Sequence, residues 1–323
     1  MNNNSQVRKQ FIEVPLPMSY SFLDKLWTRL KGILFSPFYL VMAQIAGAPG
    51  IGFHLRCAAT AVSLFVTGRI PLKTCYQYLL FPIDSTRYFE FHEVWKRLKG
   101  LSFKHYLDVS SPRLMPLHLL KAVPAATATF INPDSDDLRE TEKLADALCL
   151  KSRCEFFNDI IENTRFPSAS FDLITCLSVL EHIPEDKAAL ITMWSLLRLG
   201  GKLILTLPCL SQSMEQYISY NQYRIINQGD DGYTFWQHYY DHERLMSCIF
   251  SVTGLPVYSA VYGEKRRGLF FRNTSMKRLL GIFYPFWREP YMIASEYQSF
   301  SSTDDLPGEG VIMLEFIKAV ESE

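Results

Sequence analysis

The sequence has no net charge, no closely paired cysteines and no uninterrupted apolar run that gives a clear membrane span. Its 323 residues include 33 basic and 33 acidic side chains, and 48% of the residues are hydrophobic. A protein that grips nucleic acid through general electrostatics needs a basic face, so the balanced charge argues against a nucleic-acid partner. The hydrophobic fraction is sufficient for one large domain or two modest ones.

The seven cysteines are scattered and contain no Cys-x-x-Cys pair. Their odd number and the absence of a secretory signal favour reduced thiols, so we expect a cytoplasmic protein. His238 and His242 have the four-residue spacing of two metal ligands on a helix. Because Asp241 is predicted to begin that helix between them and no third ligand is evident, we predict no metal site.

The first hundred residues predict helices. Residues 20–31 carry apolar side chains at 3.6-residue spacing on one face and charged side chains elsewhere, which is typical of an amphipathic helix. Prolines and glycines interrupt the uncharged residues 32–53 that follow. Three interpretations stay open, in this order of preference: a buried helix pair, contact with a membrane surface through residues 20–56, and a transmembrane span. We predict a helical N-terminal extension over residues 1–100.

The middle of the chain alternates apolar strands with helices. The predicted strands lie at residues 105–109, 128–132, 155–159, 171–176 and 202–207. This alternation is typical of a parallel sheet with right-handed crossovers, in which the ligand lies at the carboxyl ends of the strands. The last of the intervening helices is predicted to end at Gly200-Gly201, which turn the chain into the fifth strand.

The last third of the chain has a looser pattern. Residues 209–237 are polar and aromatic, and we predict no strand there. Residues 255–262 and 311–319 predict two more strands, which gives seven in total. Residues 263–308 are too many for a bare loop, so we predict a cap beside the crevice, with an aromatic helix over 276–287.

The segment 166–184 reads Phe-Pro-Ser-Ala-Ser-Phe-Asp-Leu-Ile-Thr-Cys-Leu-Ser-Val-Leu-Glu-His-Ile-Pro. Together with Leu-Arg-Leu-Gly-Gly-Lys-Leu at 197–203 and Leu-Pro at 207–208, it resembles the class I S-adenosylmethionine-dependent methyltransferases, in particular the methyltransferase type 11 group. The resemblance covers about residues 104–208. It implies an α/β fold for residues 101–323, with a Rossmann-like, doubly wound, mostly parallel seven-stranded sheet and helices on both faces. It also implies S-adenosylmethionine as cofactor and methyl transfer to a small or lipid- or sugar-linked acceptor.

The resemblance also assigns cofactor-binding roles by position. Asp108 stands where an acid orients the methionine end of the cofactor, and Asn132 or Asp134 stands where the ribose hydroxyls are bound. Asp159 and the residue after it stand where adenine is bound. The full set of residues implied for cofactor binding is Asp108, Ser110, Asn132, Asp134, Asp159, Ile160 and Leu177.

Two further residues have competing interpretations. His182 is implied as a general base beside the acceptor, although a histidine before a helix is also a common cap. Arg87 lies in the first turn of a helix predicted over residues 84–98, which leads into the first strand. We expect Arg87 at the surface rather than over the crevice.

The loop after the first strand departs from the family pattern. Ser110, Pro112 and Leu114 occupy the three positions where most members have glycine. Pro112 fixes its own φ and lacks an N–H, and Leu114 adds bulk where the cofactor usually lies over bare backbone. The missing glycines favour a methyltransferase-fold protein that only binds or scaffolds, whereas Asp108 and the 171–184 segment favour an active enzyme, which we prefer. A nicotinamide-dependent oxidoreductase would need a Gly-x-Gly-x-x-Gly turn, which is absent.

Overall fold

The computed structural model describes residues 7–14, 19–219, 226 and 228–319. Its strands are β1 (Arg8–Ile12), β2 (His105–Val109), β3 (Thr127–Ile131), β4 (Cys154–Phe157), β5 (Phe171–Leu177), β6 (Leu197–Cys209), β7 (Met214–Ile218), β8 (Thr234–Tyr239), β9 (Tyr258–Glu264), β10 (Tyr297–Phe300) and β11 (Gly310–Ile317). Its helices are α1 (Phe22–Ile45), α2 (Ile51–Val66), α3 (Leu72–Leu80), α4 (Arg87–Leu98), α5 (Leu114–Ala122), α6 (Ser135–Ala147), α7 (Asp186–Leu196), α8 (His242–Arg244), α9 (Ser251–Thr253), α10 (Leu269–Leu280) and α11 (Glu289–Glu296). A π-helical stretch, Leu245–Phe250, joins α8 to α9.

The core of the molecule is a sheet of eight strands within the described residues, in the order β10-β9-β11-β6-β5-β2-β3-β4. The five strands from β6 to β4 are parallel, and β11, β9 and β10 are antiparallel to their neighbours. The predicted α/β class with a mostly parallel sheet is confirmed, but the count is eight strands rather than seven. The additional strand comes from the predicted cap, where Tyr297–Phe300 pairs along the edge of β9.

The strand β2 lies at the centre of the parallel part and is covered on both faces. Its residues from Tyr106 to Val109 are all buried. Since side chains alternate along a strand, Tyr106 packs into one hydrophobic cluster while Leu107 and Val109 pack into the other. The strand lies between β3 and β5, so the strand order reverses at its carboxyl end. This is the position at which doubly wound sheets bind ligands.

The boundary between α7 and β6 differs from the prediction. The helix ends at Leu196 and the strand begins at Leu197, so Gly200 and Gly201 lie within the strand instead of ending the helix. Leu197 already pairs with Phe171 of β5, and the register shifts between that pair and the next one. Tertiary pairing therefore begins the strand before the glycine turn that the local sequence indicates.

A second, three-stranded sheet has the order β1-β7-β8. Its strand β7 is parallel to β1 and antiparallel to β8. The prediction that residues 209–237 form no strand is therefore wrong, and the predicted all-helical extension begins with a strand. The partner β1 lies about two hundred positions away in sequence, so this pairing leaves no local signal.

The N-terminal helices differ from the predicted buried pair. The helix α1 runs without a break from Phe22 to Ile45, although Pro37 lies inside it, and most of its residues are exposed. Gly47 and Gly50 have positive φ values of 73° and 77° and separate α1 from α2. A Cβ atom on Gly50 would lie 2.2 Å from the carbonyl oxygen of Tyr88, so only glycine fits there. No helix in the described parts of the chain is long and apolar enough to cross a membrane.

The cap contains α10, α11 and β10 in place of the single predicted aromatic helix over 276–287. Gly281, with a φ of 52°, ends α10 at Leu280. The ammonium group of Lys277 in α10 lies 2.8 Å from a carboxylate oxygen of Asp84 and 2.8 Å from one of Glu289. The pair with Asp84 fastens the cap to the connection between α3 and α4, and the pair with Glu289 joins α10 to α11.

Candidate active site

Two cavities lie beside the carboxyl ends of the parallel strands. The smaller, of about 200 Å³, lies against the loop after β2 and is lined by residues that include Pro112 and Leu114. The larger, of about 300 Å³, lies beside the ends of β5 and β6 and is partly covered by α10. Asp84 and Arg87 line both cavities. Arg87 therefore faces the crevice, and its side chain is also 42% exposed, so it keeps its predicted place at the surface.

The loop after β2 keeps a left-handed residue at the first of the three family glycine positions. Ser110 has a φ of 52°, and its amide and hydroxyl groups donate to the carbonyl oxygen of Ile131 at 2.9 and 3.1 Å. A side chain in this region of φ costs about 1–2 kcal/mol relative to glycine. The loop thus takes a backbone conformation that suits glycine and holds it with two hydrogen bonds to β3.

Asp108 is buried at the end of β2, and groups of the chain itself satisfy its carboxylate. The hydroxyl of Thr175 donates to Oδ1 at 2.7 Å, that of Tyr106 at 3.2 Å, and the backbone amide of Ser111 donates to Oδ2 at 3.2 Å. Burial raises the pKa of Asp108 to about 6, although these hydrogen bonds lower it. Asp108 therefore holds the loop from beneath.

The end of β3 is tied to the same loop through α6. The side-chain amide of Asn132 donates to Oδ2 of Asp137 at 2.9 Å, and the guanidinium of Arg113 forms an ion pair with Oδ1 of Asp137. Both Arg113 and Asp137 line the smaller cavity. A cation and a carboxylate thus meet at one wall of this cavity, and the amide of Asn132 holds the carboxylate.

Arg113 has one unsatisfied donor. Its Nε atom is buried and has no hydrogen-bond partner, although the guanidinium pairs with Asp137. A buried donor without an acceptor is unfavourable by about 1–3 kcal/mol, and a ligand oxygen would remove that cost. The carboxylate and hydroxyl groups of a nucleoside-type cofactor are acceptors of this kind, so the residues at this wall fit S-adenosylmethionine.

The remaining predicted cofactor residues have different surroundings. Asp134 is the N-cap of α6, and its carboxylate accepts from the amides of residues 136 and 137. Asp159 is exposed after β4, and its Oδ1 accepts from the amide of Ile160 at 2.8 Å. The side chain of Leu177 is buried in the core, while its amide donates to the hydroxyl of Ser111 at 3.1 Å.

Two buried carboxyl groups, those of Glu90 and Glu181, line the larger cavity where β5 and β6 end. The carboxylate of Glu90 in α4 accepts from the hydroxyls of Ser178 at 2.6 Å and Thr206 at 2.7 Å. Glu181 is also buried, and its Oε2 atom has no hydrogen-bond partner. Burial and the nearby charge of Glu90 raise the pKa of Glu181 well above its usual range, so we expect it to carry a proton at neutral pH.

The predicted base, His182, lines the larger cavity and is not a helix cap. Its Nδ1 atom lies 2.6 Å from the carbonyl oxygen of Trp236. A carbonyl only accepts, so Nδ1 carries the proton and Nε2 carries the lone pair, 4.0 Å from a carboxyl oxygen of Glu181. Burial lowers the pKa of His182 to about 4, so the ring is neutral at physiological pH.

Glu309, immediately before β11, also lines the larger cavity. Its Oε2 atom accepts from the hydroxyl of Tyr239 at 2.9 Å. Burial raises the pKa of Glu309 to about 7, and the charge of Glu264 adds to the shift. A carboxylate with a pKa near 7 changes charge in the range where a general base is most effective.

Sequence reasoning missed Glu90, Glu309 and Arg113 as site residues. Glu90 and Glu309 belong to elements outside residues 104–208, so no motif marks them. Arg113 lies inside the altered loop, and a charged residue next to the replaced glycines was the available signal. Of the predicted residues, His182 lines the larger cavity, Asp108 holds the loop from beneath, and Asn132 contacts Asp137 beside the smaller cavity.

Comparisons with known proteins agree with this arrangement. Residues 115–203 match a family model described as a methyltransferase domain. A relative, the mitochondrial ubiquinone biosynthesis O-methyltransferase of Schizosaccharomyces pombe, is 25% identical over 129 residues, which is 40% of this chain. The chain therefore matches only about half, 46%, of the length of that relative.

Two solved structures also resemble this chain. The MccD protein superposes with a TM-score of 0.48 at 11% identity, over 71% of this chain and 96% of that one. A geranyl diphosphate methyltransferase, solved in complex with its cofactor, gives 0.47 at 7% identity, over 71% and 84%. The family match, the strand order and the crevice at the strand ends agree. Residues 115–203 are thus similar to a methyltransferase domain, and they lie in the doubly wound part of the sheet.

Proposed function

We propose that the chain is an S-adenosylmethionine-dependent methyltransferase that acts on a small or lipid- or sugar-linked acceptor. The observation that carries the proposal is the pair of cavities that meet at Asp84 and Arg87 beside the switch point of the sheet. A cofactor in the smaller cavity and an acceptor in the larger are then neighbours, as an in-line transfer requires. When bound, S-adenosylmethionine supplies a methyl group on a positively charged sulfur, which is a good leaving group.

The wall of the smaller cavity provides the polar contacts for the cofactor. Arg113 is the cation for the cofactor's carboxylate, because its Nε lacks an acceptor. Asn132 and Asp137 provide oxygens for the ribose hydroxyls. Asp159 and the backbone of Ile160 remain the proposed adenine contacts.

Three other residues act on the cofactor site by holding the loop. Asp108 accepts from the amide of Ser111, and the hydroxyl of Ser111 accepts from the amide of Leu177. The loop is thereby tied to the ends of both β2 and β5. We assign to these residues the positioning of the loop and not contact with the reacting atoms.

In the larger cavity, a base takes the proton from the acceptor. His182 carries its lone pair on Nε2, but its pKa of about 4 makes it a weak base. Glu309 has a pKa of about 7, which matches the operating pH better. We therefore propose Glu309 as the base and His182 as a residue that contacts the acceptor.

The first experiment is a calorimetric titration of the purified chain with S-adenosylmethionine and S-adenosylhomocysteine. Micromolar binding of both is the expected result. Arg113→Met should weaken binding at least about tenfold, near 1.4 kcal/mol. The matched control is Arg139→Met, because that exposed arginine also pairs with an aspartate of α6, Asp136, and should leave binding unchanged.

A catalytically degenerate binding or scaffolding protein is the second candidate. It is favoured by Pro112 and Leu114 at glycine positions beside the cavity, and by the ion pair that already engages Arg113. The same titration discriminates between the two candidates. No heat of binding at millimolar ligand, from a chain with a cooperative unfolding transition, would contradict the enzyme proposal and support the scaffold.

The acceptor is proposed at the level of chemical class. The name of the Schizosaccharomyces pombe relative, a ubiquinone biosynthesis O-methyltransferase, supports an oxygen acceptor. The larger cavity combines the carboxyl groups of Glu181 and Glu309 with aromatic side chains such as Phe270, which suits an acceptor with a hydroxyl and an apolar part. Peripheral contact of residues 20–56 with a membrane belongs to the same proposal, because such an acceptor partitions into a bilayer.

A further inference from the structure

The helix α1 has its small residues inside and its large apolar residues outside. Its buried residues are Gly32, Ser36 and Ala43, and a Cβ on Gly32 would lie 2.3 Å from the hydroxyl of Tyr76. The opposite face consists of large apolar side chains that are 41–75% exposed. They are Leu23, Leu26, Trp27, Leu30, Ile33, Leu34, Phe38, Val41 and Ile45, which we call the outer face of α1. A surface helix of a soluble protein has the reverse arrangement.

The outer face is continuous along the whole helix. Its members recur every three or four residues, so at 100° per residue they occupy an arc of about 140°. Single exposed apolar side chains are normal on any protein surface, but a contiguous stripe of this kind marks a contact with a membrane or a partner. The helix α2 carries a second exposed series at i, i+7 and i+11, formed by Leu55, Val62 and Val66.

The charge of the helices around the outer face indicates which kind of partner the face contacts. Residues 19–83 contain six basic residues and one acidic residue, a net charge of +5 in a chain whose total is zero. The basic residues are Lys25, Arg29, Lys31, Arg56, Arg69 and Lys73. Arg29 and Lys31 follow the outer face on its two edges, and the Lys31 ammonium lies 5.2 Å from the Trp27 ring centroid. Aromatic, aliphatic and basic side chains in this order are typical of a helix that lies in a membrane interface.

We propose that the outer face of α1 docks on an anionic lipid bilayer, with the helix lying in the plane of the interface. Two copies of this chain packed through the same face would bring two net charges of +5 together, which argues against a dimer as the occupant. Anionic headgroups instead neutralise Arg29 and Lys31 while the acyl boundary covers the apolar side chains.

Docking of α1 would place the cap and the larger cavity beside the bilayer. Phe35 of α1 stacks on Trp287 with 5.8 Å between ring centroids, and Tyr39 packs near Tyr291 of α11. In the same cap, Phe271 of α10 is 52% exposed and also lines the larger cavity. The cavity therefore has an apolar residue at its mouth. If the proposed methyltransferase function holds, this arrangement selects an amphiphilic acceptor taken from the membrane.

Vesicle flotation of the full chain tests the surface. Vesicles of phosphatidylcholine alone are compared with vesicles of phosphatidylcholine and phosphatidylglycerol in equal parts. We expect binding to the anionic vesicles and at least about tenfold weaker binding to the neutral ones. The double variant L34E/V41E, at the centre of the outer face, should lose about a hundredfold in affinity. R29Q/K31Q should lose about tenfold on anionic vesicles only.

The matched control is I191E/L199E, because Ile191 and Leu199 are similarly exposed apolar residues outside residues 19–83. Equal binding of the L34E/V41E and control variants would overturn the proposal, as would a native dimer that L34E/V41E dissociates without any change in flotation. Quenching of Trp27 fluorescence by brominated lipid provides a second readout, and no quenching would also overturn it. Binding of S-adenosylmethionine is measured by calorimetry without vesicles, so its result does not depend on membrane docking. The methyltransferase proposal and the docking proposal can therefore be contradicted separately.

Discussion

The two cavities at the sheet edge differ in how their charged groups are arranged. In the smaller cavity, Arg113 and Asp137 neutralise each other, and Asp108 beneath the loop is enclosed by donors. In the larger cavity, burial raises the pKa of Glu181 and of Glu309, although the charges of Arg87 and Arg278, respectively, oppose the shifts. Paired charges hold geometry, whereas carboxyl groups that line a cavity and have raised pKa values can exchange protons with a ligand. The difference supports the proposed division, with cofactor binding in the smaller cavity and proton transfer in the larger.

The strongest test of this division is Glu309→Gln. Glutamine keeps an oxygen that accepts from Tyr239 but cannot take a proton, so we expect the methyl-transfer rate to fall by at least about a hundredfold. The Glu309 carboxylate is the basic form above its pKa of about 7. The native rate should therefore rise with pH to a plateau above about 7, and the variant should lack this limb. The measurement is a pH profile of single-turnover rates.

The control for Glu309→Gln is His182→Gln in the same cavity. Because the pKa of His182 is about 4, its removal should leave the limb near pH 7 in place even if the rate falls. Cofactor affinity should be unchanged in both variants. A pH limb that disappears in His182→Gln and persists in Glu309→Gln would reverse the assignment of the base.

The smaller cavity should respond to pH through stability and not through rate. Asp108 has a pKa of about 6 in the folded chain, above the value near 3.9 of an unfolded chain. The folded state therefore binds the proton more tightly, and its stability is full below about pH 4 and is lost as pH rises through about 6. The neutral variant Asp108→Asn lacks this loss. Its unfolding free energy relative to the native chain should increase by about 2 kcal/mol between pH 4 and pH 7.

Denaturant unfolding at several pH values checks the Asp108 prediction. Asp136→Asn, which removes an exposed carboxylate of α6, is the control and should show no such relative gain. A constant difference between Asp108→Asn and the native chain across this range would mean that the buried carboxylate ionises normally.

The sequence predicted the parallel half of the molecule better than its periphery, for physical reasons. The strands β2, β3 and β5 are buried on both faces, so their apolar runs and the helices between them are local signals. Strand β1 pairs with β7 across about two hundred residues, and β10 uses the edge of β9, so neither has a local pattern of its own. The buried helix pair was predicted wrongly because apolar periodicity shows that a helix has an apolar face but not whether that face points to the core or to the outside, as it does in α1.

The candidate site divides in the same way. The positions of Asp108 and Asn132 at the carboxyl ends of two strands were predictable, because strand order determines them. Which groups touch them was not predictable, since Thr175 and Asp137 approach from other elements. Asp134 was assigned to the ribose, but an aspartate just before a helix caps that helix by its own local hydrogen bonds.

The smallest expected effect concerns Ser110, the left-handed residue in the loop beside the smaller cavity. Ser110→Gly removes a hydroxyl hydrogen bond but relieves the backbone, whereas Ser110→Ala loses the same bond and keeps the strained φ of 52°. We therefore expect the glycine variant to be more stable than the alanine variant by about 1 kcal/mol in chemical denaturation. At Ser63, an exposed position inside α2, the order should be reversed by a similar amount, because alanine is the better helix former. If alanine were the more stable residue at both positions, Ser110 would not occupy a glycine-type conformation, and the loop would not preserve the family's backbone path around the cofactor.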